Sequence, residues 1–368
     1  IGHALRATCE RILHRRRTSP PGIMMRRRDL LIMLGGALAS SSALFGDYSV
    51  VSDNPLIAEY GLESIQDRYT PIAEFYVRNH FAVPELPPQP QLRIAGDVER
   101  MQTLTQRDLA RLPQRKLGAV LECSGDGVGP YQLASNAVWE GWALSDVLAL
   151  ARPRASAAFL RLYGRDGFLR SVPIARADGE AMVATRMNYQ PLTPDHGAPW
   201  RAFFPGWYGM ESVKWLELIE VATSAIQPVP NDYWAVEKTP QGKIERLPLP
   251  GIQLKSAFIY PALGAVLRRG RVNVRGLAWS GGSAIAAVEV SVGGGKVWRL
   301  AEFEPAQNAS RYEWRFWQAS VDLTETGLVE LSCKAIGQNG NEQPAGRPPN
   351  RIDGYANNVI ETIRIMVV

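Results

Sequence analysis

Val288, Val290 and Val292 alternate with Glu289 and Ser291, and Gly293-Gly294-Gly295 follow immediately, ahead of Val297 and Trp298. A period of two means a strand with one face buried and one face wet, and a glycine run lets the chain turn back on itself. Roughly seven such short strands fit into residues 257–368, which predicts an all-β sandwich of immunoglobulin-like type. Residues 226–256 carry Pro228, Pro230, Pro240, Pro248 and Pro250 with little periodicity and read as a connecting loop. Residues 47–225 mix short apolar strands with helical patterns, an α+β composition. There Trp139 to Ala151 predicts an amphipathic helix with Trp142, Leu144, Val147, Leu148 and Ala151 on one side.

Residues 1–46 read as a leader. Arg26-Arg27-Arg28-Asp29 precedes an apolar stretch, Leu30 to Phe45, rich in Ala, Gly and Ser. A charged segment, an apolar segment and small residues in that order form an export signal, and paired arginines give it the twin-arginine character. The stretch is too short and too diluted by Gly and Ser for a membrane span. The expected location is therefore the periplasm. Residues 1–46 hold eight arginines against Glu10 and Asp29, a net of +6, whereas the whole chain is +5, which leaves −1 for the remainder. The basic balance belongs to the leader, and net charge makes no case for nucleic-acid binding.

Beyond the leader only Cys123, Cys333, His80 and His196 remain of their types. Two cysteines far apart in sequence make no disulfide framework, and neither CxxCH nor HExxH occurs. Cys333 alternates with polar residues on an apolar face and reads as a core strand residue. Cys123 differs. An apolar strand, Leu117 to Leu121, delivers it into a loop with glycines at 125, 127 and 129. Such a loop lets backbone approach a bulky group closely. A twin-arginine substrate travels folded, with its cofactor inserted, so one thiolate would contribute a single ligand to a metal whose other ligands come from that cofactor.

Seven motifs in one order carry a family resemblance: FYVRNHFAVP (75–84), LECSG (121–125), SNAVWEGWALSDVL (135–148), DHGAPWR (195–201), PGWYGMESVKWL (205–216), GLAWSGG (276–282) and GGGKVW (293–298). The chain resembles the molybdenum-containing sulfite oxidase family from about residue 55 onward, without a haem domain. The resemblance implies a molybdopterin-binding domain over 47–225, followed by a dimerisation domain over 257–368. It makes Cys123 the protein ligand to molybdenum. Arg78 would bind an anionic substrate, as guanidinium suits oxyanions. Asn79, His80, Asp166, His196, Arg201, Ser212 and Lys214 would hold the pterin and its phosphate. Tyr233 matches the active-site tyrosine, and Tyr131 an aromatic residue lining the pocket. Trp207 and Tyr208 fit the core equally well. The pocket is expected between the first domain and the 226–256 loop.

The implied reaction is oxidation of sulfite to sulfate, with electrons leaving to an external c-type cytochrome. Trp298, Trp314, Phe316 and Trp317 exceed what one small sandwich core ordinarily needs, which points to a homodimer surface or to a heterodimer with a cytochrome subunit. Three positions depart from the animal enzymes: Val128 and Asp353 stand where arginines are expected, with Arg351 two residues away, and Asp126 replaces an asparagine. A pocket short of cations binds a dianion less well. Two alternatives therefore stand beside sulfite oxidation: a molybdopterin-dependent sulfoxide reductase, whose relatives lack the sandwich, and a cofactor-bearing subunit of a thiosulfate-oxidising complex.

Overall fold

A computed structural model of the chain describes residues 48–127, 131–226, 233–305 and 310–368. The fold is mostly β. The first half holds two five-stranded sheets. In one, Gln114–Glu122 pairs antiparallel with Ala134–Ala143, which pairs with Met182–Met187, which in turn pairs with both Gln190–Pro191 and Arg201–Phe203. In the other, the order is Gln102–Thr105, Gln91–Gly96, Leu216–Ala222, Phe159–Gly164, Leu169–Pro173, with Gln91–Gly96 and Leu216–Ala222 parallel.

The expected helix over Trp139 to Ala151 is corrected. Residues 139–143 finish the strand Ala134–Ala143, and only Leu144–Ala149 is helical. The strand is central and covered on both faces, so it lacks the polar alternation that marks a half-exposed strand. Its tryptophans are packed tightly instead: Trp139 stacks on Phe203 with ring centroids 4.4 Å apart and donates its Nε1–H to the Ala119 carbonyl at 3.2 Å. The 226–256 segment also departs from expectation, because Trp234–Lys238 and Ile244–Pro248 form an antiparallel hairpin.

The second half is a sandwich of two sheets. One runs Lys255–Tyr260, Gly270–Trp279, Arg315–Leu323, Glu302–Phe303, and the other Val266–Leu267, Glu361–Val367, Gly327–Gly337, Ile285–Val292, Trp298–Leu300. Their inner faces share one core that includes Val274, Trp317, Val288, Val290, Leu331, Cys333 and Ile365. Cys333 is completely buried in it, as a core strand residue should be.

The four-stranded sheet is buried on its other face as well. Ala257, Ile259, Leu277, Trp279 and Trp314 join the core of the first half. Two of the four aromatics read as partner-surface candidates are therefore internal: Trp314 and Trp317 are both buried. Trp298 and Phe316 are half-buried under Lys334 and Arg275, with cation-to-centroid distances of 5.0 and 4.4 Å. Truncating a buried tryptophan such as Trp279 would cost about 3–5 kcal/mol, so the two halves depend on each other for stability.

Candidate functional site

The strand Gln114–Glu122 ends where Cys123 begins a tight loop. The Cys123 N–H donates to the Leu133 carbonyl at 2.9 Å and the Cys123 carbonyl accepts from the Asp126 N–H at 3.0 Å. Both Asp126 carboxylate oxygens accept backbone N–H groups, of Gln132 and Leu133, at 3.2 Å. Asp126 thus closes the loop from within. Gly125 lies between the Cys123 sulfur and the Tyr355 ring, where a Cβ would make only ordinary contacts, at 3.9 and 3.8 Å. Val128 lies outside the described residues.

Cys123 opens into a cleft enclosing about 670 Å³ of space, counting its mouth. Arg78, Asn79, His80, Asp166, His196, Arg201, Ser212, Lys214 and Tyr233 also line it. The fold brings these from five separate segments. Tyr131 is placed elsewhere: it is buried with its ring edge-on to Trp279 at 5.6 Å and does not line the cleft. Its neighbour Lys255 sits 4.7 Å from the ring centroid. Pocket lining by Tyr131 is therefore corrected to a place in the interior between the two halves.

Cations crowd one wall. Arg201 donates to the carbonyls of His196 (3.2 Å) and Ser212 (2.6 Å). Lys214 donates to the Asn79 side-chain oxygen and the Asp195 carbonyl, both at 2.6 Å. Burial, with Lys214 and Arg201 close by, pushes His196 down to about 3, so it is neutral. Burial lowers Arg201 to about 10. Burial and then the Arg201 charge drive Lys214 well below its usual value, although Asp195 and Asp166 oppose them. Positive charge is thus held here without enough counter-charge, a setting that a phosphate-like anion would relieve.

Lys214 owes its position to two unusual backbone sites. Gly197, at φ +98°, admits it so closely that a Cβ there would be 2.9 Å from the Lys214 Cβ. Trp215, at φ +48°, is left-handed and is pinned by its indole N–H donating to the Pro194 carbonyl at 2.8 Å. Strain of this kind persists where surrounding structure over-determines it, often at ligand sites. Sequence reading missed both, although DHGAPWR and VKW contain them.

Elsewhere in the cleft, the Tyr233 hydroxyl lies 3.5 Å from His80 Nδ1, and its ring is 5.5 Å from that of Tyr355. Burial raises Tyr233 to about 12, so the hydroxyl keeps its proton. Asp166 accepts the Phe168 N–H at 3.0 Å across a turn through Gly167, so it serves the turn and lines the cleft at once. Ser212 is already an acceptor for the Phe204 N–H at 3.1 Å. Arg78 donates to the Asn79 carbonyl.

Asp353 is fully engaged. It binds Arg351 through two hydrogen bonds (2.8 and 3.0 Å), accepts from Arg347 at 3.3 Å, and accepts the backbone N–H groups of Val236 (2.7 Å) and Tyr355 (2.8 Å). Burial alone would push its carboxyl up, yet these bonds outweigh it and hold it at about 2. Arg351 is committed to Asp353 and is absent from the cleft wall.

The cleft suits a molybdopterin. Among the described residues no group of three His, Cys, Asp or Glu side chains could hold a metal, so a metal at Cys123 must bring its other ligands with it. Asn79 Nδ2, Ser124 Oγ and Arg201 Nε are buried without partners in the wall, donors waiting for an acceptor. A thiol at one end and unneutralised cations at another match a metal dithiolene with an anionic tail. Burial raises the Cys123 thiol to about 11, so metal binding must displace its proton.

Comparison with known proteins agrees. Residues 80–229 match the oxidoreductase molybdopterin binding domain and residues 249–367 the Mo-co oxidoreductase dimerisation domain. The chain is 32% identical over 355 residues to the mitochondrial sulfite oxidase of Mus musculus, covering 86% of this chain and 65% of that protein. It thus spans less than two thirds of the length of the mammalian relatives that it matches. It is 30% identical to the sulfite oxidase of Gallus gallus, covering 82% of this chain and 73% of that protein. The sulfane dehydrogenase SoxCD from Paracoccus pantotrophus has a similar structure, with a TM-score of 0.77, 26% identity and 88% of each chain covered. A cysteine-bearing cleft built for an anionic metal cofactor, in a chain that carries both of these domains, makes it a member of the sulfite oxidase family of molybdopterin oxidoreductases.

Proposed function

We propose that this protein oxidises sulfite to sulfate in the periplasm, after twin-arginine export, and passes electrons to an external c-type cytochrome. The observation that carries the reading is the cleft, in which one thiol faces a wall of under-neutralised cations. Bound there, a molybdopterin would supply the metal, two sulfur ligands, the transferable oxygen and the electron sink.

The chain's own residues bind and orient. Cys123 gives one thiolate. Arg201 and Lys214, with the unpartnered Asn79 Nδ2, hold the cofactor's anionic tail. Neutral His196 and Asp166 suit the pterin's donors and acceptors. Arg78 is the cation left for the substrate oxyanion. Sulfite and water become sulfate, two protons and two electrons. The Tyr233 hydroxyl and His80, 3.5 Å apart, are placed to hand those protons outward. The dimerisation domain supports pairing with a second copy.

A second reading, oxidation of a sulfane sulfur, is favoured by Asp353. Its carboxylate occupies Arg347 and Arg351 where the resemblance calls for a free arginine, so a dianion meets little beyond Arg78. Ferricyanide-coupled assays of the molybdenum-loaded protein with sulfite, and separately with an organic persulfide, test both. Sulfite turnover that disappears in Cys123→Ser is expected, with KM rising about 10- to 100-fold in Arg78→Met. A loaded protein that oxidises only the persulfide replaces the first reading with the second, and normal turnover by Cys123→Ser overturns both.

A further inference from the structure

The residue before the metal-ligand cysteine is a completely buried carboxylate, Glu122. Both of its oxygens are taken by side chains from the other half of the molecule. Lys255 Nζ donates to Oε1, and Trp279 Nε1–H donates to Oε2 at 2.8 Å. Lys255 is itself wholly buried. The register explains the meeting. Lys255 and Trp279 are direct partners on neighbouring antiparallel strands. Lys255 shares a strand face with Ala257 and Ile259, which pack into the core of the first half. Both side chains therefore leave the sandwich at one point and close on Glu122.

The same half grips the loop again on its far side. The Ala356 N–H donates to the Ser124 carbonyl at 2.7 Å, and Asn357 Nδ2 donates to the Gly127 carbonyl at 3.3 Å. Ala356 takes a left-handed φ of +52° to do so. Residues 122–127 are thus held at both ends by residues of the matched dimerisation domain.

Charge follows the same plan. Glu122 and Asp126 bracket Cys123, and both are buried. Lys255 pairs with Glu122, and its charge also opposes the burial that pushes the Asp126 carboxyl up to about 7. A thiolate between two carboxylates would repel both, and a buried carboxylate with no partner is costly.

We propose that Lys255 is a positioning residue for the molybdenum ligand: it ties Glu122, and through it Cys123, to the sandwich and offsets the negative charge on either side of the thiolate. The inference rests on the molybdopterin assignment and adds a working role within the site for the second domain.

The decisive variant is Glu122→Leu/Lys255→Met. Replacing a buried ion pair by apolar residues of similar size is commonly neutral or stabilising, which offsets the loss of an acceptor for the Trp279 indole N–H, so this protein should fold, with its melting temperature lowered by a few degrees at most. Its loop has lost the tether, and molybdenum retention on dialysis, read by metal analysis, should fall by about 10- to 100-fold, the usual effect of removing a partner that orients a metal ligand. Glu122→Gln/Lys255→Gln, which can still hydrogen-bond, should recover most of that loss. A second reading needs no cofactor: in the unloaded chain, amide hydrogen exchange of the peptide that spans residues 122–127, read by mass, should be several-fold faster in Lys255→Gln than in the parent. An apolar pair that melts and retains molybdenum like the parent, with that peptide exchanging at the parental rate in Lys255→Gln, would overturn the role. If the parent itself binds no molybdenum, the cofactor assignment fails instead.

Discussion

Asp353→Asn gives a sharp test of how the segment beside the cleft is held. The carboxylate carries two arginines and two backbone N–H groups, and its side chain is only 3% exposed. Its folded value of about 2 against an ordinary 3.8 is a gap of nearly two units. At roughly 1.4 kcal/mol per unit this contributes about 2 kcal/mol at neutral pH. The sign follows from proton binding. Between pH 4 and 2 the unfolded chain holds a proton that the folded chain does not, so the contribution is complete above about pH 4 and fades as pH falls through 2. Urea titrations should show Asp353→Asn less stable than the parent by about 2 kcal/mol at pH 7, and the difference should narrow at pH 3. Arg351→Ala should show a comparable stability loss, with KM for sulfite changed by less than about twofold, because Arg351 serves Asp353 rather than substrate. A difference that stays constant from pH 7 to 3, or a large KM rise in Arg351→Ala, would refute the reasoning.

Three other outcomes follow from the site. Gly197→Ala must place a side chain at φ +98° and 2.9 Å from Lys214 Cβ, so it should lose about 1–3 kcal/mol in thermal melts and bind molybdopterin poorly by metal analysis. His196 sits near 3 in the fold against 6.5 unfolded, so the cofactor-free protein should lose stability as pH falls below about 6.5. By pH 5 this loss reaches about 2 kcal/mol, and His196→Gln should flatten it in urea titrations. Replacing Arg27 and Arg28 by lysine should leave precursor in the cytoplasm, visible on fractionation; full periplasmic delivery of loaded protein would contradict the export proposal.

Much of the site was legible because its chemistry needs rare residue types. Cys123 stood out through its glycine-rich loop, and Arg78, His80, Arg201 and Lys214 lie in short motifs whose residues also line the cleft. Tyr131 was carried over from the resemblance as a pocket-lining aromatic, and a motif position does not reveal that its ring packs against Trp279, a residue far away in sequence. The strand at residues 139–143 was misread as helix because burial on both faces removes the alternation that would have declared it.

Sequence alone determined the alternating strands of the second half, the buried character of Cys333 and the presence of one thiol suited to a metal. These depend on local periodicity and residue chemistry, which neighbouring residues encode. Tertiary structure alone decided that Asp353 captures Arg351, that Trp314 and Trp317 are internal, and that Lys255 meets Glu122. Glu122 and Lys255 lie 133 positions apart, and Lys255 looks like any surface lysine until strand register turns it inward. The physical reason is that a buried charge is tolerated only with its partner, and partners from distant segments are brought together by sheet pairing, which no local pattern records.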